Sequence, residues 1–311
     1  MDIKKTSMRE ALGRSLVRLG ETDEKVVVVG ADTTDSIKLM EFGRRFPSRF
    51  FNVGIAEQNM IGISAGLALS GKKVFCGTYV VFLERAIDQI RNTIAYCSLD
   101  VKIIGSHGGI SVGPDGGSHQ AIEDFAIMRT IPNMKVIAPS DSESADMLIE
   151  KAGREKGPFY IRILRPNLPQ FYDSGSRVEI GKANLLREGS DVTIIANGVM
   201  LGEAMDAAGL LEKEGIFAEV IDCHTIKPLD LALIEKSARK TGAVVTAEDH
   251  NIIGGLGSAV AEALSEAYPV KMRKVGVRDV FGQSGDGREL MSAYGLDSAN
   301  IIRNVREIVN K

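Results

Sequence analysis

The sequence contains few of the residues from which metal centres and disulfide frameworks are built. Its 311 residues include only three cysteines and four histidines. The cysteines are scattered and odd in number, which predicts buried, reduced thiols in a cytoplasmic protein. The histidines form no HxxxH pair of the kind that binds zinc. We therefore expect no metal site made by this chain alone. The residues concerned are Cys76, Cys97, Cys223, His107, His119, His224 and His250.

Long apolar runs and clustered positive charge are also missing. No apolar segment reaches membrane-spanning length, and the N-terminal MDIKKTSMRE has no apolar signal core. The net charge is -3, and Lys and Arg form no cluster in the sequence, so the sequence gives little support for nucleic-acid binding. A composition of 44% hydrophobic and 25% charged residues is typical of a globular chain, and its length predicts two domains.

Apolar strand-like segments alternate with helix-like segments along the whole chain. VVVVG (26–30) and VKIIG (101–105) are fully apolar, as strands inside a parallel sheet are. The alternation predicts two doubly wound α/β domains. We place the first at residues 1–164 and the second at 178–311. Between them, residues 165–177 hold two prolines and a glycine without periodicity, which predicts a linker.

The stretch FFNVGIAEQNMIGISAGLALSG, Phe50 to Gly71, differs from the other helix-like segments. It predicts a short β-like run followed by a helix from Ala56 to Leu69 that is apolar or small almost all the way round. A helix of this kind is expected to be buried. Glu57, in its first turn, is the only ionisable group between Phe50 and Leu69. A carboxylate is favoured at any helix N-terminus, so Glu57 alone does not establish a site.

Three glycine-rich segments are candidates for anion binding. GGLGSAV (254–260) opens a helix, but it lacks the dinucleotide spacing and a P-loop lysine, so we interpret it as a close-packing turn. GDG (285–287) resembles the start of the metal-diphosphate motif of thiamine enzymes. The asparagine pair that this motif requires does not follow, and we set GDG aside. SHGGISVGPDGGSHQ (106–120) follows a predicted parallel strand, at the sheet edge where ligands bind.

Longer segments carry a family resemblance. NVGIAEQNMIGISAGLALSG, GTYVVFLERAIDQIRN, SHGGISVGPDGGSHQAIEDFAIMRTIPNMKVIAPSD and LRPNLP resemble, in this order, the pyrimidine-binding domain of transketolases. DCHTIKPLD and AEDHNIIGGLGSAV resemble the transketolase C-terminal domain. The resemblance covers essentially the whole chain. It implies a parallel-sheet pyrimidine-binding domain followed by a transketolase C-terminal-type domain.

The resemblance also implies a cofactor and a partner. Transketolases use thiamine diphosphate with Mg²⁺, and their diphosphate-binding domain precedes the pyrimidine-binding domain. Because residue 1 comes just before the pyrimidine-binding domain, we expect the C-terminal subunit of a split transketolase. A separate N-terminal subunit would hold most of the diphosphate and the metal. We expect a homodimer of this chain, formed through the helix Ala56 to Leu69, within an α2β2 assembly.

Site residues are transferred from the family by position. Glu57 matches the glutamate that hydrogen-bonds the cofactor's aminopyrimidine, and burial would help it to keep its proton. His119 matches a proton-shuttling position near the reacting carbon. The other cofactor positions are Tyr79, Phe82 and Arg85. The substrate positions are Arg9, Ser36, His107, Asp115, His119 and Arg165.

Simpler roles remain open for several of these residues. Tyr79 and Phe82 are also compatible with ordinary core packing. Arg9 and Ser36 rest on the weakest local match, and a helix-face arginine and a loop serine are the alternatives.

The expected reaction is transfer of a two-carbon ketol unit from a ketose phosphate to an aldose phosphate. Arg85 departs from the transketolase pattern, which has an aromatic residue there, and FLERAIDQ resembles 1-deoxyxylulose-5-phosphate synthase. A split form of that synthase and the beta subunit of a 2-oxo acid dehydrogenase are the rival enzymes. LRPNLP and the GPDGGSHQ loop favour transketolase over the dehydrogenase. A regulatory partner on the same fold is the non-enzyme alternative. Retention of Glu57, Asp115 and His119 argues against it.

Overall fold

The computed structural model describes residues 5–309, which form two compact units. The first contains the residues up to Gly108 together with Met128–Ile180. The second contains Gly109–Ile127 together with the residues from Gly181 onwards. The glycine-rich loop after Gly108 therefore belongs to the second unit, although the chain on either side of it belongs to the first. No helix in the described residues is long and apolar enough to cross a membrane.

Strands and helices alternate as the apolar pattern predicts. The strands are β1 (Lys5–Thr6), β2 (Val26–Gly30), β3 (Phe50–Asn52), β4 (Lys73–Tyr79), β5 (Val101–Ser106), β6 (Lys135–Ile137), β7 (Phe159–Ile163), β8 (Leu168–Pro169), β9 (Asn184–Arg187), β10 (Val192–Ala196), β11 (Ala218–Asp222), β12 (Thr225–Lys227), β13 (Ala243–Asn251) and β14 (Lys271–Val277). The helices are α1 (Met8–Thr22), α2 (Met40–Arg45), α3 (Glu57–Leu69), α4 (Val80–Leu83), α5 (Ile87–Gln89), α6 (Asp124–Thr130), α7 (Ser142–Arg154), α8 (Met200–Glu212), α9 (Leu231–Thr241), α10 (Leu256–Ala267), α11 (Gly287–Ala293) and α12 (Ser298–Val309).

The first unit is built on a parallel sheet. Its strands pair in the order β6–β7–β5–β4–β2–β3, and each of these pairs is parallel. Every residue of β2, β5 and β7 is buried. Strands covered on both faces in this way need the continuous apolar sequence seen in VVVVG and VKIIG. The prediction of a doubly wound α/β fold is confirmed here.

Part of the predicted linker is attached to the first unit. β8 pairs antiparallel with β1 at the N-terminal end of the described chain. Asp141 caps α7 by accepting a hydrogen bond from the Ser144 amide (2.7 Å), and its other oxygen accepts from the amides of Phe171 (2.7 Å) and Tyr172 (2.9 Å). One buried carboxylate thus ties this segment to a helix N-terminus. The boundaries at residues 164 and 178 stay a prediction.

The second unit is built on a five-stranded sheet in the order β14–β13–β10–β11–β9. All of its pairs are parallel except β11 with β9, which lies antiparallel at the edge. Apolar side chains of β10, β11 and β13 pack against α9 and α10. Ile195, Ile221 and Val244 of the strands and Leu256 of α10 are fully buried. The prediction of a second α/β domain is also confirmed.

Two predictions about burial are wrong. Within this chain α3 is not buried all round, because Gly62, Gly66 and Leu69 are exposed, Leu69 to 74%. An added Cβ at Gly62 or Gly66 would meet no atom within 4 Å. An apolar helix face therefore lies open in the single chain. Cys97 is likewise exposed, whereas Cys76 and Cys223 are buried as predicted.

The helical segment that follows β4, FLERAIDQIRNTIAYC (82–97), is interrupted. α4 ends at Leu83, a 3₁₀ turn covers Glu84–Ala86, and a π-helical segment covers Ile90–Ala95 after α5. The side-chain amide of Gln58 donates a hydrogen bond to the carbonyl of Arg85 (3.0 Å). Because a side chain from α3 is hydrogen-bonded to the Arg85 carbonyl, the regular series of helical hydrogen bonds is interrupted at Arg85.

Candidate active site

Glu57 is the first residue of α3, and its side chain is only 5% exposed. Ala56, the residue before it, makes no side-chain capping hydrogen bond, and Glu57 supplies the acidic group of the first turn, where a helix N-terminus favours negative charge. Nη1 of Arg85 lies 3.7 Å from Oε2 of Glu57, within ion-pair range but beyond hydrogen-bond length. The Arg85 side chain is 61% exposed. A buried carboxyl thus faces a cation that remains accessible to solvent.

The aromatic rings of Phe82 and Tyr79 lie next to this ion pair. The Arg85 guanidinium lies over the ring of Phe82, 5.6 Å from its centroid. Phe82 stacks on Tyr79 with ring centroids 5.6 Å apart and an interplanar angle of 11°. Tyr79 in turn stacks on the imidazole of His107 at 3.9 Å. The two aromatic rings are half-buried, so they offer a flat surface beside a carboxyl group.

The polar end of this arrangement is formed by Ser36, Arg9 and Arg165. The hydroxyl groups of Tyr79 and Ser36 are 2.6 Å apart. The Arg9 guanidinium donates to the backbone carbonyls of Ser36 (3.1 Å) and Arg165 (3.3 Å). Arg9 therefore holds two loops together, which gives it a structural role whether or not it also contacts a substrate.

His107 is held tightly. It is 1% exposed, its backbone lies in the left-handed region with φ of 60°, and its Nδ1 is 2.9 Å from the hydroxyl of Ser106. Its amide donates to the carbonyl of Ile163 in the neighbouring strand β7 (3.1 Å). A non-glycine residue in this conformation is strained and is maintained by its surroundings, as is common at functional sites.

All eight predicted site residues of the first unit meet at one edge of its sheet. Each lies at or beyond the C-terminal end of a parallel strand, except Arg9, which is on α1 and reaches this edge through its guanidinium. Tyr79 ends β4, His107 directly follows β5, and Arg165 follows β7 by two residues. This is the edge at which parallel sheets bind ligands. The eight are Arg9, Ser36, Glu57, Tyr79, Phe82, Arg85, His107 and Arg165.

Asp115 and His119 lie on the glycine-rich loop of the second unit. Gly109, Gly113 and Gly116 have positive φ angles, which let the loop turn sharply. His119 ends a 3₁₀ turn, and its Nδ1 is 3.0 Å from the hydroxyl of Ser118. Asp115 is exposed and His119 is half-buried. Both side chains are thus accessible within the unit that carries them.

The other two glycine motifs have structural roles. Glu248 accepts hydrogen bonds from the amides of Leu256 (2.7 Å) and Gly257 (2.8 Å), and a Cβ at Gly255 would lie 2.0 Å from its carboxylate. These two amides of GGLGSAV therefore donate to a carboxylate of the chain itself and are not available to a phosphate. Asp286 of GDG caps α11 by accepting from the amides of Arg288 and Glu289. No group of three or more His, Cys, Asp or Glu residues within 5–309 could hold a metal ion.

Comparison with known proteins decides the family. The model of the transketolase pyrimidine-binding domain matches residues 4–170, and that of the transketolase C-terminal domain matches residues 181–301. The chain belongs to the transketolase family. Its two α/β units thus correspond to the last two domains of a transketolase.

Relatives of similar length extend this assignment. A protein of Methanocaldococcus jannaschii described as a transketolase C-terminal section is 46% identical over 98% of this chain and 96% of its own length. A 6-deoxy-6-sulfo-D-fructose transketolase subunit from a Clostridium species is 42% identical over 98% of this chain and 95% of its own. A solved split-gene transketolase, an inactive β4 tetramer, has a TM-score of 0.91 and 46% identity over 99% of both chains.

Transketolase-family enzymes depend on thiamine diphosphate, and one half of that cofactor suits the residues present. A buried carboxyl beside a stacked aromatic pair fits a flat, nitrogen-containing aminopyrimidine ring. Glu57, Tyr79 and Phe82 supply these groups within the first unit. GGLGSAV does not fit the diphosphate, because Glu248 takes the backbone amides of Leu256 and Gly257. In GDG the carboxylate of Asp286 caps α11 by accepting from the amides of Arg288 and Glu289. The chain's own residues therefore match the pyrimidine portion.

Two residues of importance to this region were not singled out from the sequence. Gln58 fixes the backbone of Arg85, and Asp249 holds the start of the glycine-rich loop. Gln58 directly follows Glu57, and Asp249 is the aspartate of AEDHN, a segment that carries the family resemblance. That position was the available signal, but their partners lie far away in sequence and leave no local pattern.

Proposed function

We propose that this chain is the C-terminal subunit of a thiamine diphosphate-dependent transketolase. The assembled enzyme transfers a two-carbon ketol unit from a ketose phosphate to an aldose phosphate, in the cytoplasm and in the manner of the pentose phosphate pathway. One observation carries the proposal: the eight residues transferred from the family converge on one sheet edge through a continuous set of contacts from Glu57 to Arg165.

Glu57 is the proposed catalytic carboxyl on the cofactor side. When bound, thiamine diphosphate supplies the electron sink for cleaving the bond next to a carbonyl group. Glu57 would hydrogen-bond a ring nitrogen of the aminopyrimidine through its carboxyl group. Tyr79 and Phe82 would pack on the ring and exclude water from one of its faces. Arg85, on the rim, would close the pocket beside Phe82.

The substrate is bound and oriented by the remaining residues. We assign His107 and Arg165 to the phosphate of the acceptor, with Ser36 and Arg9 shaping the same wall. We assign Asp115 to the sugar hydroxyls and His119 to moving a proton to or from a substrate oxygen. The Clostridium relative is named for a sulfonated sugar, so the anionic group recognised differs among relatives of this chain.

Arg85 supports a second candidate reaction. A 1-deoxyxylulose-5-phosphate synthase also acts on an aldose phosphate, and FLERAIDQ resembles that enzyme. In this structure the guanidinium lies over Phe82 and 3.7 Å from Glu57, at the rim of the proposed pocket. Assays with pyruvate and with ketose phosphates as alternative donors distinguish the two reactions. With the same aldose phosphate as acceptor, turnover with pyruvate but not with ketose phosphates would favour the synthase.

The open face of α3 supports a proposal for assembly. Gly62, Gly66 and Leu69 present small and apolar groups on a helix that has no charged residue after Glu57. We propose that two copies of this chain associate through this face and that two N-terminal subunits complete an α2β2 enzyme holding Mg²⁺ and the diphosphate. The inactive β4 tetramer of the split-gene neighbour supports self-association of the C-terminal subunit.

The proposal is tested on the purified chain with and without its N-terminal subunit. Native co-purification followed by mass spectrometry identifies that subunit. Calorimetry with thiamine diphosphate and magnesium, together with a coupled ketol-transfer assay, then measures binding and turnover. We expect weak binding and no turnover by the chain alone, and both to appear when the partner is added. Tight binding and turnover without a partner would refute the split-enzyme assignment.

A further inference from the structure

The glycine-rich loop Gly109–Gln120 has little regular structure of its own. It contains two 3₁₀ turns, Ile110–Val112 and Gly117–His119, between glycines with positive φ angles. Glycines lower the energy of sharp turns but raise the entropy lost when the loop is ordered. A loop of this composition must therefore be held by groups outside it if Asp115 and His119 are to keep a fixed geometry.

The strongest anchor is Asp249, near the C-terminal end of β13. Its Oδ1 accepts a hydrogen bond from the amide of Ile110 (2.7 Å), and its Oδ2 accepts from the amide of Ser111 (3.1 Å). Asp249 is 3% exposed. Burying a carboxylate is costly unless charge-assisted hydrogen bonds compensate for its lost hydration, and these two amides supply such bonds.

Gly109 makes this close approach possible. A Cβ at Gly109 would lie 2.1 Å from Oδ2 of Asp249, and the residue has a φ of 85°. A glycine is therefore required on both steric and backbone grounds. Its amide also donates to the carbonyl of Ala121 (2.6 Å), which closes the base of the loop.

Weaker anchors hold the far end of the same loop. The side-chain amide of Gln120 donates to the carbonyls of Gly113 (3.2 Å) and Gln283 (3.1 Å). Beyond the loop, the Asn251 amide donates to the carbonyl of Ile122 (2.8 Å). The segment that carries Asp249 and the one that carries Gln283 thus bracket the loop, and both come from the C-terminal domain.

We propose that Asp249 is a positioning residue for the loop that carries Asp115 and His119. Its carboxylate fixes the path of the chain at Ile110 and Ser111, and this sets the direction in which the following turns present the two side chains. The catalytic part of the inference rests on the proposed function. It gives the C-terminal domain a role in catalysis although none of its residues from Gly181 onwards is assigned to cofactor or substrate.

Asp249→Asn is the most direct test. Asparagine keeps the shape but offers one acceptor oxygen, so one of the two amides would face an NH₂ group. We expect kcat of the reconstituted enzyme to fall about 10- to 100-fold, as for a small displacement of catalytic groups. The KM for thiamine diphosphate should stay within about threefold of wild type, because Glu57 and the aromatic pair are untouched.

Glu203→Gln provides a matched control. Glu203 also accepts a backbone hydrogen bond, from the amide of Ser298 (2.7 Å) in the second unit, but the bond holds the start of α12 and not the loop. A purely structural role for Asp249 predicts equal effects of the two substitutions on kcat at temperatures well below melting. We expect Glu203→Gln to change only the melting temperature.

Hydrogen exchange on the isolated chain tests the anchor without any activity. The amides of Ile110 and Ser111 should be protected in the wild-type chain, and Asp249→Asn should accelerate their exchange about 10- to 100-fold while Glu203→Gln leaves it unchanged. Rapid wild-type exchange at both amides, or unchanged kcat in folded Asp249→Asn, would overturn the inference. The wild-type measurement decides even if the variant does not fold. An enzyme inactive with its partner would refute the proposed function, while the exchange result would still decide the anchor.

Discussion

Replacing Glu57 with glutamine separates a catalytic carboxyl from a helix-capping one. The structure limits its contribution to stability to two small terms. A negative charge at a helix N-terminus contributes about 0.3–1 kcal/mol. The ion pair with Arg85, whose side chain is 61% exposed, contributes about 0–1 kcal/mol after solvent screening. The variant should therefore lose at most about 2 kcal/mol of unfolding free energy and stay folded.

The expected increase in the activation barrier is larger than this loss of unfolding free energy. A positioned acid or base is worth about 10²- to 10⁴-fold in rate, and a loss of about 10³-fold corresponds to ~4 kcal/mol of barrier. Glutamine can donate a hydrogen bond but cannot exchange a proton as a carboxylic acid does. The assays are ketol transfer by the reconstituted enzyme at saturating cofactor, and deuterium exchange at the reactive carbon of thiamine diphosphate followed by NMR.

A control is needed for the change in charge. Glu143→Gln removes the same charge from the first turn of α7 in the same unit, and it should leave both assays unchanged. If the folded Glu57→Gln enzyme turns over within about threefold of wild type, the assignment of Glu57 as the catalytic carboxyl is wrong.

Three further predictions follow from the geometry. Gly62→Leu should leave the chain folded, because no atom lies within 4 Å of an added Cβ, but the homodimer should dissociate in analytical ultracentrifugation. Gly209→Leu on α8, where an added Cβ also meets no atom within 4 Å, is the control. An unchanged dimer in Gly62→Leu would exclude the α3 face as the dimer interface. His107→Ala and Arg165→Ala should raise the KM for phosphorylated acceptors much more than for unphosphorylated ones, and equal increases would show that neither residue recognises the phosphate. At pH 8 a thiol reagent should modify exposed Cys97 rapidly and leave Cys76 and Cys223 unmodified until the chain unfolds. Burial raises the pKa of Cys76 to about 12 and also raises the pKa of Cys223, so neither thiol ionises at this pH. Fast reaction of all three cysteines in the native chain would contradict the fold.

Several features of this protein are specified by patterns within a few neighbouring residues. The apolar runs of β2 and β5 specify buried parallel strands by themselves, since only strands covered on both faces tolerate such sequences. The isolated carboxyl of Glu57 at the start of α3 was equally visible. The glycines around Asp115 and His119 marked a loop at a sheet edge. Each of these signals lies within one contiguous segment.

Other features depend on contacts between distant segments. The exposed face of α3 could not be foreseen, because an apolar helix has the same sequence whether it is covered by its own chain or left open at its surface. The broken helix around Arg85 results from a side chain on α3, 27 residues away in sequence. The structural role of Arg9 depends on its hydrogen bond to the carbonyl of Arg165, 156 residues away in sequence.

The sequence by itself therefore determined the α/β class, the order of the two domains and the residues able to do the chemistry. Tertiary structure alone decided which of these residues meet and which groups hold them. Glu248 closing the GGLGSAV turn and Asp249 reaching Ile110 across 139 residues are examples. The physical reason is that helix and strand preferences arise from neighbouring residues. A hydrogen bond between remote groups forms only once the packing of the core has brought them together.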